Sequence, residues 1–389
     1  MSTRRGPRPL FVDHTGVLGG AELSLLDIAA AYRDDGGVAL FIDGPFRIEL
    51  EQRGVEARLI DGGASLATVR KGTRLPALGA IGALWSIARA LAKMARGYDL
   101  LYANSPKSFL VAALAGWRAQ LPVVWHLRDI LDRQHFSATN RRVLAWIANT
   151  FATRVIANSQ ATADAFVAAG GRATLVSVVH NGIDSAPFDQ LPAGAHDRLR
   201  RELGIPAGAF VVGCFSRLNE WKGQRVLLDA IARTAGVHVL LVGGALFSGE
   251  EAYEAELRRT ALSPALHGRA HLLGMRRDVP GLLAACDVVA HTSILPEPFG
   301  RVIVEAMLAS RAVIASDAGG VREIVTDGRT GLLVPPGDAA ALATAIGRLR
   351  DEPGLRDALV RAAHAEAVAR FSLQTMLAGV ASVIAECVR

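Results

Sequence analysis

The chain has 389 residues, 51% of them hydrophobic and 21% charged, a balance that excludes disorder and a length that suits two cores. Its formal net charge of +6 is uneven: residues 1–185 hold 21 basic and 15 acidic residues, whereas residues 186–389 hold 22 of each. No nucleic-acid motif accompanies the basic half, so an anionic acceptor or membrane surface is the expected partner and nucleic acid is not.

The N-terminus, MSTRRGPRPLFVDHTG, has only a three-residue apolar run before Asp13, too short for the apolar core of a signal peptide. Short apolar strands then alternate with helical patterns. In the first half strands are predicted at Leu10–Asp13, Val38–Ile42, Ala57–Ile60, Leu100–Ala103, Val123–His126, Arg154–Ala157 and Leu175–Val178. Helices are predicted between them near Ala21–Tyr32, Leu78–Ala95, Ser108–Trp117, Asn140–Thr150 and Ala161–Ala168. The stretch Leu75–Ala95 is interrupted by Arg89 and Lys93 and is not read as a transmembrane helix. Its stripe of Leu78, Ile81, Leu84, Trp85, Ala88 and Leu91, with Arg70, Lys71, Arg74, Arg89, Lys93 and Arg96 around it, suits either a core-facing helix or peripheral attachment to the inner face of a membrane.

His180-Asn181-Gly182-Ile183-Asp184 and the loose SAPFDQLPAGA after it mark a domain boundary. Beyond it strands are predicted at Phe210–Phe215, His238–Val242, Ala270–Leu273, Val288–His291, Ala312–Ala315 and Gly331–Val334, with helices near Gln224–Thr234, Glu250–Thr260, Val279–Ala284 and Arg301–Ala309. Three further helices, Asp338–Arg350, Leu355–Val368 and Leu373–Cys387, have no strands between them. Uninterrupted apolar strands separated by helices mean parallel sheets covered on both faces, hence two Rossmann-like α/β domains. Cys214, Cys286 and Cys387 lie far apart with no CxxC or His/Cys metal spacing, which predicts reduced thiols in a cytoplasmic protein.

The chemistry concentrates at strand ends, where open parallel sheets bind ligands. Gly19 and Gly20 follow the first strand and open a helix, letting backbone approach a phosphate or sugar closely, although the spacing is not that of a dinucleotide site. Asn104 and Ser105 follow one later strand, and His126 ends another, with Arg128 and Asp129 just after it. Arg217 and Lys222 follow Phe210–Phe215 and suit a diphosphate, one as a planar fork and the other as a point charge. Met275 and Arg276 follow Ala270–Leu273. Most informative is SILPEPFGRVIVEAMLASRAVIASDAGGVREIVTDGRTGLLVPP, residues 293–336, with Glu297 in a loop and Glu305 on the helix that starts near Gly300. Two carboxylates gripping two polyols across an anion at a helix N-terminus is what a sugar nucleotide requires.

That segment resembles the Glu-x7-Glu signature of retaining glycosyltransferases of the GT-B fold, in the large group 1, or family-4-type, set of bacterial α-mannosyl-, α-glucosyl- and N-acetylglucosaminyltransferases. Arg217, Lys222 and Gly223 resemble the same family's R-(x)n-K-G segment, Gly19-Gly20-Ala21-Glu22 its G-G-x-E loop, and His180–Asp184 its interdomain linker. The resemblance implies two Rossmann-like domains facing across a cleft: residues 1–184 for the acceptor, 185–370 for the donor, and a final helix within 371–389 crossing back to the first. It implies catalytic roles for His126, Arg217, Lys222 and Glu297, with His126 near the anomeric centre. Donor binding would fall to Gly19, Gly20, Arg217, Lys222, Met275, Arg276, Glu297, Phe299, Gly300, Arg301 and Glu305, and acceptor binding to Asn104, Ser105, Arg128 and Asp129. No Asp-x-Asp motif occurs, so a metal-independent enzyme without cofactor is expected, taking a UDP-sugar in preference to a GDP-sugar as co-substrate. The implied reaction is hexosyl or N-acetylhexosaminyl transfer to a hydroxyl acceptor, lipid-linked or not, in polysaccharide or glycoconjugate assembly. A natural-product glycosyltransferase, a sugar-nucleotide epimerase of the same architecture and a non-catalytic binding subunit are the alternatives.

Overall fold

The computed structural model describes residues 6–62, 78–192, 194–247 and 249–388. Its strands are β1 (Pro9–Asp13), β2 (Gly37–Leu40), β3 (Ala57–Leu59), β4 (Leu100–Ala103), β5 (Val123–Leu127), β6 (Arg154–Ala157), β7 (Val176–Val178), β8 (Phe210–Phe215), β9 (Val237–Val242), β10 (Ala270–Gly274), β11 (Val288–His291), β12 (Ala312–Ser316) and β13 (Leu332–Val334). Each falls where an apolar run predicted a strand. They form a seven-stranded sheet ordered β3-β2-β1-β4-β5-β6-β7 and a six-stranded sheet ordered β10-β9-β8-β11-β12-β13. Every pairing is parallel.

Burial explains why the central strands read as unbroken apolar runs. Every residue of β1, β4, β5 and β8 is buried, whereas the edge strands β3, β7 and β10 are partly exposed. One face of the first sheet is covered by the helices Leu78–Met94, Pro106–Ala119 and Ala138–Phe151, which contribute Leu91, Phe109, Ala112 and Leu144 to a core around Trp125. Trp125 stacks on Phe109 at 4.3 Å with planes 4° apart. On the other face the helices Gly20–Ala31 and Pro45–Gln52 supply Leu25, Leu26, Phe46 and Leu50.

The chain divides into two compact units, the first ending at Gly182 and resuming at Leu373, the second running from Ile183 to Ser372. The final helix, Leu373–Cys387, therefore belongs with the first sheet, as the resemblance implied. Its Met376, Val380, Val383 and Ile384 pack with Leu25, Leu26 and Phe46, and Arg154 pairs with Glu386 at 3.0 Å.

Several helices lie outside the sequence expectations, among them the single turn Ala186–Asp189 within the stretch read as a loose linker. Pro45–Gln52 buries only Phe46 and Leu50, one turn apart, too short a stripe to announce a helix. Ala195–Glu202 is largely charged and starts where the stretch read as a loose linker ends. In Leu78–Met94, Ile87, Ala88 and Leu91 face the core, but Trp85, expected in the same stripe, is 39% exposed. Arg70, Lys71 and Arg74 lie outside the described residues. Among the described residues no helix is long and apolar enough to cross a membrane.

Candidate active site

An open parallel sheet leaves a crevice where the strand order reverses, beyond the carboxyl ends of the flanking strands. In the second unit that point lies between β8 and β11, and it gathers Ser216–Gly223 and Thr292–Glu297. Asn219 caps the short turn Glu220–Lys222 by accepting from the Trp221 N–H at 3.2 Å. Gly223 follows with φ +69°, and a Cβ there would stand 2.0 Å from the Thr292 carbonyl oxygen, so only glycine permits the approach. The Ile294 N–H donates to the Trp221 carbonyl at 2.8 Å and the Thr292 hydroxyl to the Lys222 carbonyl at 2.8 Å, locking the two loops together. On the far side Gly320 N–H donates to the Glu297 carbonyl at 2.8 Å. Gly319, at φ +63°, would place a Cβ 2.4 Å from that same oxygen.

Held this way, Lys222 Nζ donates to Glu297 Oε2 at 2.6 Å, Ser293 Oγ donates to the same oxygen at 3.0 Å, and His291 Nε2 lies 3.3 Å from it. Burial pushes the Glu297 carboxyl up, but the Lys222 charge and the His291 contact outweigh it and hold the group well below the usual carboxylate range. All three partners meet Oε2, and Oε1 has no hydrogen-bond partner among the described residues. The Lys222 ammonium also sits 4.0 Å over the Trp221 ring. Sequence reasoning found Lys222 and Glu297 but neither their ion pair nor His291 and Ser293. The one available signal was that both lie at the mouth of β11.

Arg217 is engaged elsewhere: its Nε lies 3.3 Å from Glu250 Oε1 and its guanidinium 4.8 Å over the Phe247 ring. Glu250 is buried and also accepts from Asn219 Nδ2 at 2.8 Å and from the Leu246 and Phe247 N–H groups at 3.0 and 3.1 Å. No motif announced Glu250. Arg301 opens the helix Arg301–Leu308 and reaches Glu305 Oε1 at 3.5 Å, while its Nε and Nη1 are buried without a partner among the described residues. Two unpaired guanidinium donors in the first turn of a helix are what an anion would satisfy. Met275 is exposed, and Arg276 is gripped by Asp278 at 2.7 and 2.5 Å. The side chain of Phe299 does not suit the donor contact expected of it. It is 2% exposed and packs edge-on against Phe371 in the core, so burial set this residue type.

In the first unit the order reverses between β1 and β4, and a buried polar network fills that point. Asn104 Nδ2 donates to Asp13 Oδ2 at 2.6 Å. Arg128 donates to Asn104 Oδ1 at 2.6 Å and to Asn181 Oδ1 at 2.7 Å, and its Nη2 lies 3.1 Å from His126 Nδ1. Arginine can only donate, so His126 Nδ1 accepts, and the Tyr102 hydroxyl at 2.5 Å must donate to it as well. The ring proton therefore sits on Nε2, which is buried and has no partner among the described residues. Burial, then the Arg128 charge, holds His126 well below its usual range, so it is a neutral hydrogen-bond donor.

His126 is fully buried, and ligand contact requires an opening at Nε2. Three of Arg128's donors serve the network, where it positions Asn104, His126 and Asn181. Ser105, also expected to bind acceptor, instead caps the helix Pro106–Ala119, accepting from the Ser108 N–H at 3.2 Å. Gly19 N–H donates to Glu22 Oε2 at 3.0 Å; burial and the nearby Asp13 push the Glu22 carboxyl up to about 8. Of the other members of this network, Tyr102 carried no sequence signal and Asn181 was read only as part of the domain boundary.

Residues 18–186 match the family model described as Glycosyltransferase Family 4, and residues 209–352 match that described as Glycosyl transferases group 1. The structure of Anabaena HepE in complex with UDP-glucose is 43% identical, covers 97% of this chain and 99% of its own, and superposes with a TM-score of 0.89. HepE has also been solved with UDP and glucose, at a TM-score of 0.88. The lipopolysaccharide core biosynthesis glycosyltransferase LpsE of Rhizobium meliloti is 34% identical over 46% of this chain and 50% of its own. A D-inositol 3-phosphate glycosyltransferase of Streptomyces bingchenggensis is 30% identical over 75% of this chain and 67% of its own. Of several such curated relatives the alignment spans only about half the length. Two parallel-sheet units, the charged constellation at the second switch point and these likenesses agree that the chain belongs to the group 1, family-4-type glycosyltransferases of the GT-B fold.

Proposed function

We propose that the chain is a retaining, metal-independent glycosyltransferase that moves a hexosyl group from a UDP-sugar to a hydroxyl acceptor. The observation that carries this reading is the ionised Glu297, with Oε1 unpartnered, beside Lys222 and the unpaired Nε and Nη1 of Arg301. It sits in a chain 43% identical to one whose structure holds UDP-glucose. The donor diphosphate would take Lys222, Arg217 and the first turn of Arg301–Leu308 as its counter-charges in place of a metal. Glu297 would accept from donor-sugar hydroxyls, Glu305 from the ribose, and His126 Nε2–H would donate to the sugar. The C1–O bond to the diphosphate breaks, the acceptor oxygen bonds to C1 on the same face, and the acceptor proton passes to a phosphate oxygen, so configuration is retained. The acceptor assigned here is an anionic, lipid-linked glycan or polyol, in keeping with the basic first half of the chain.

A thermal-shift comparison of UDP, GDP and ADP tests the donor. Nucleotide at about 100 times its dissociation constant should add about 2.7 kcal/mol, and UDP should do so at the lowest concentration. Transfer should persist in excess EDTA with the anomeric configuration kept. Indifference to all three nucleotides, chelator inactivation, or conversion of the UDP-sugar to an epimer without acceptor would each overturn the reading.

A further inference from the structure

The helices Leu78–Met94, Pro106–Ala119 and Ala138–Phe151 lie side by side on one face of the first sheet. Their inner residues fill the core. Their outer surface carries Trp117 at 63% exposure, Trp146 at 62% and Trp85 at 39%, with Val143 exposed beside them. Trp85 and Trp117 meet across neighbouring helices with ring centroids 6.4 Å apart. Among the chain's five tryptophans, the other two are the buried Trp125 and the site residue Trp221. Three exposed indoles on one layer lack the coverage that a core would give them.

The charge on this layer has one sign. None of the three helices contains an aspartate or glutamate, whereas Arg89, Lys93, Arg118 and Arg142 are exposed on them and Arg96 follows the first. None of these five cations is in an ion pair among the described residues, although arginines elsewhere in the unit, such as Arg47, Arg53 and Arg154, are paired. The uniform patch ends at the next helix of this face, Gln160–Ala168, where Asp164 appears. Aromatic side chains with an apolar body and a polar N–H, interleaved with unpaired cations and no anions, match the interface of an anionic bilayer.

We propose that this three-helix face docks the enzyme on an anionic lipid surface, with the indoles at headgroup depth and the five cations against the lipid phosphates. The proposal rests on the reading above only in taking the acceptor to be lipid-linked. The helix Pro106–Ala119 starts two residues after Asn104, so the docked layer springs from the switch point to which the acceptor is assigned.

The test is co-sedimentation of the full chain with phosphatidylcholine vesicles and with vesicles half phosphatidylglycerol, at low and high salt, with tryptophan emission read in parallel. Binding should require the anionic lipid, fade at high salt and shift the emission to the blue. Reversing Arg89, Lys93 and Arg118 to glutamate should weaken partitioning about a hundredfold or more, since each basic residue near such a surface contributes about 1 kcal/mol, or fivefold. Trp117→Ser with Trp146→Ser should remove most of the emission shift and weaken partitioning tenfold or more. Both variants should keep wild-type circular dichroism and wild-type UDP affinity by calorimetry. Absence of UDP binding in the parent chain refutes the donor reading and leaves the vesicle result standing. No binding at low salt, equal binding to neutral vesicles, retention on heparin without response to lipid, or a free dimer with these tryptophans already shielded would each overturn the docking proposal.

Discussion

Replacing Lys222 by alanine removes the cation 2.6 Å from the Glu297 carboxylate, where both side chains are less than one-fifth exposed. Two unit charges at that separation attract by roughly 6 kcal/mol at an effective dielectric of about 20, against which their desolvation stands. Deleting one partner of a buried pair costs about 3–5 kcal/mol, because the remaining charge keeps its desolvation and loses its counter-ion. Ser293 and His291 still face Oε2, so about 3 kcal/mol is expected here. Adding Glu297→Gln should recover most of that loss, since a neutral amide needs no counter-charge. The pH sign follows from the depressed Glu297 carboxyl: its contribution is present above the unfolded value near 4.5 and lost as pH falls through the folded one. The Lys222→Ala deficit should therefore be greatest at neutral pH and shrink below about pH 4. Urea unfolding at pH 7 and pH 3, followed by circular dichroism, measures it. The same variant should lower kcat by about 10²–10³-fold, as losing one oxyanion donor does. A deficit below 1 kcal/mol, or a double variant no more stable than the single one, refutes the reasoning.

Three further outcomes separate the roles assigned. Glu305→Ala should weaken UDP binding measured by calorimetry, whereas Glu297→Ala, which frees Lys222 for the phosphates, should hold or tighten it and reduce transfer; equal losses would overturn both assignments. His126→Ala should lower kcat about tenfold and His126→Gln, which keeps a donor, by less, with no new ionisation in the pH–rate profile between 5 and 8; a His126-dependent limb there would show that the imidazole titrates. Glu22, pushed up to about 8, stabilises fully below the unfolded 4.5 and loses that contribution as pH rises through 8. Stability should therefore fall across that window by at most about 5 kcal/mol, and Glu22→Gln should flatten the curve.

The strands were legible because central parallel strands are buried on both faces and must be apolar throughout, as in Phe210–Phe215. Pro45–Gln52 was not, since a helix resting on two buried side chains leaves no periodic signal. In the site, Glu297 and Lys222 were legible from their places at strand ends, but their contact spans 75 residues and is set by the Gly223 and Gly319 close approaches. Arg217 was read as a cation for phosphate, and its pairing with Glu250 depends on a loop with no motif. Phe299 was read from its motif position as a donor contact, and with its side chain buried against Phe371 only its backbone is left for that role.

Both cations assigned to the diphosphate are already paired with carboxylates in this structure, Lys222 with Glu297 and Arg217 with Glu250. On the proposed reading a complete donor resolves this by exchange rather than by addition. The diphosphate takes the cations while the sugar hydroxyls take the Glu297 oxygens, and Glu250 keeps its hydrogen bonds from Asn219 and from the Leu246 and Phe247 N–H groups. A nucleotide without its sugar offers Lys222 a new partner and Glu297 none, so the pair resists opening to it. The ion pair that lowers the Glu297 carboxyl is thus also a discriminator, coupling the grip on phosphate to the presence of the sugar that will be moved.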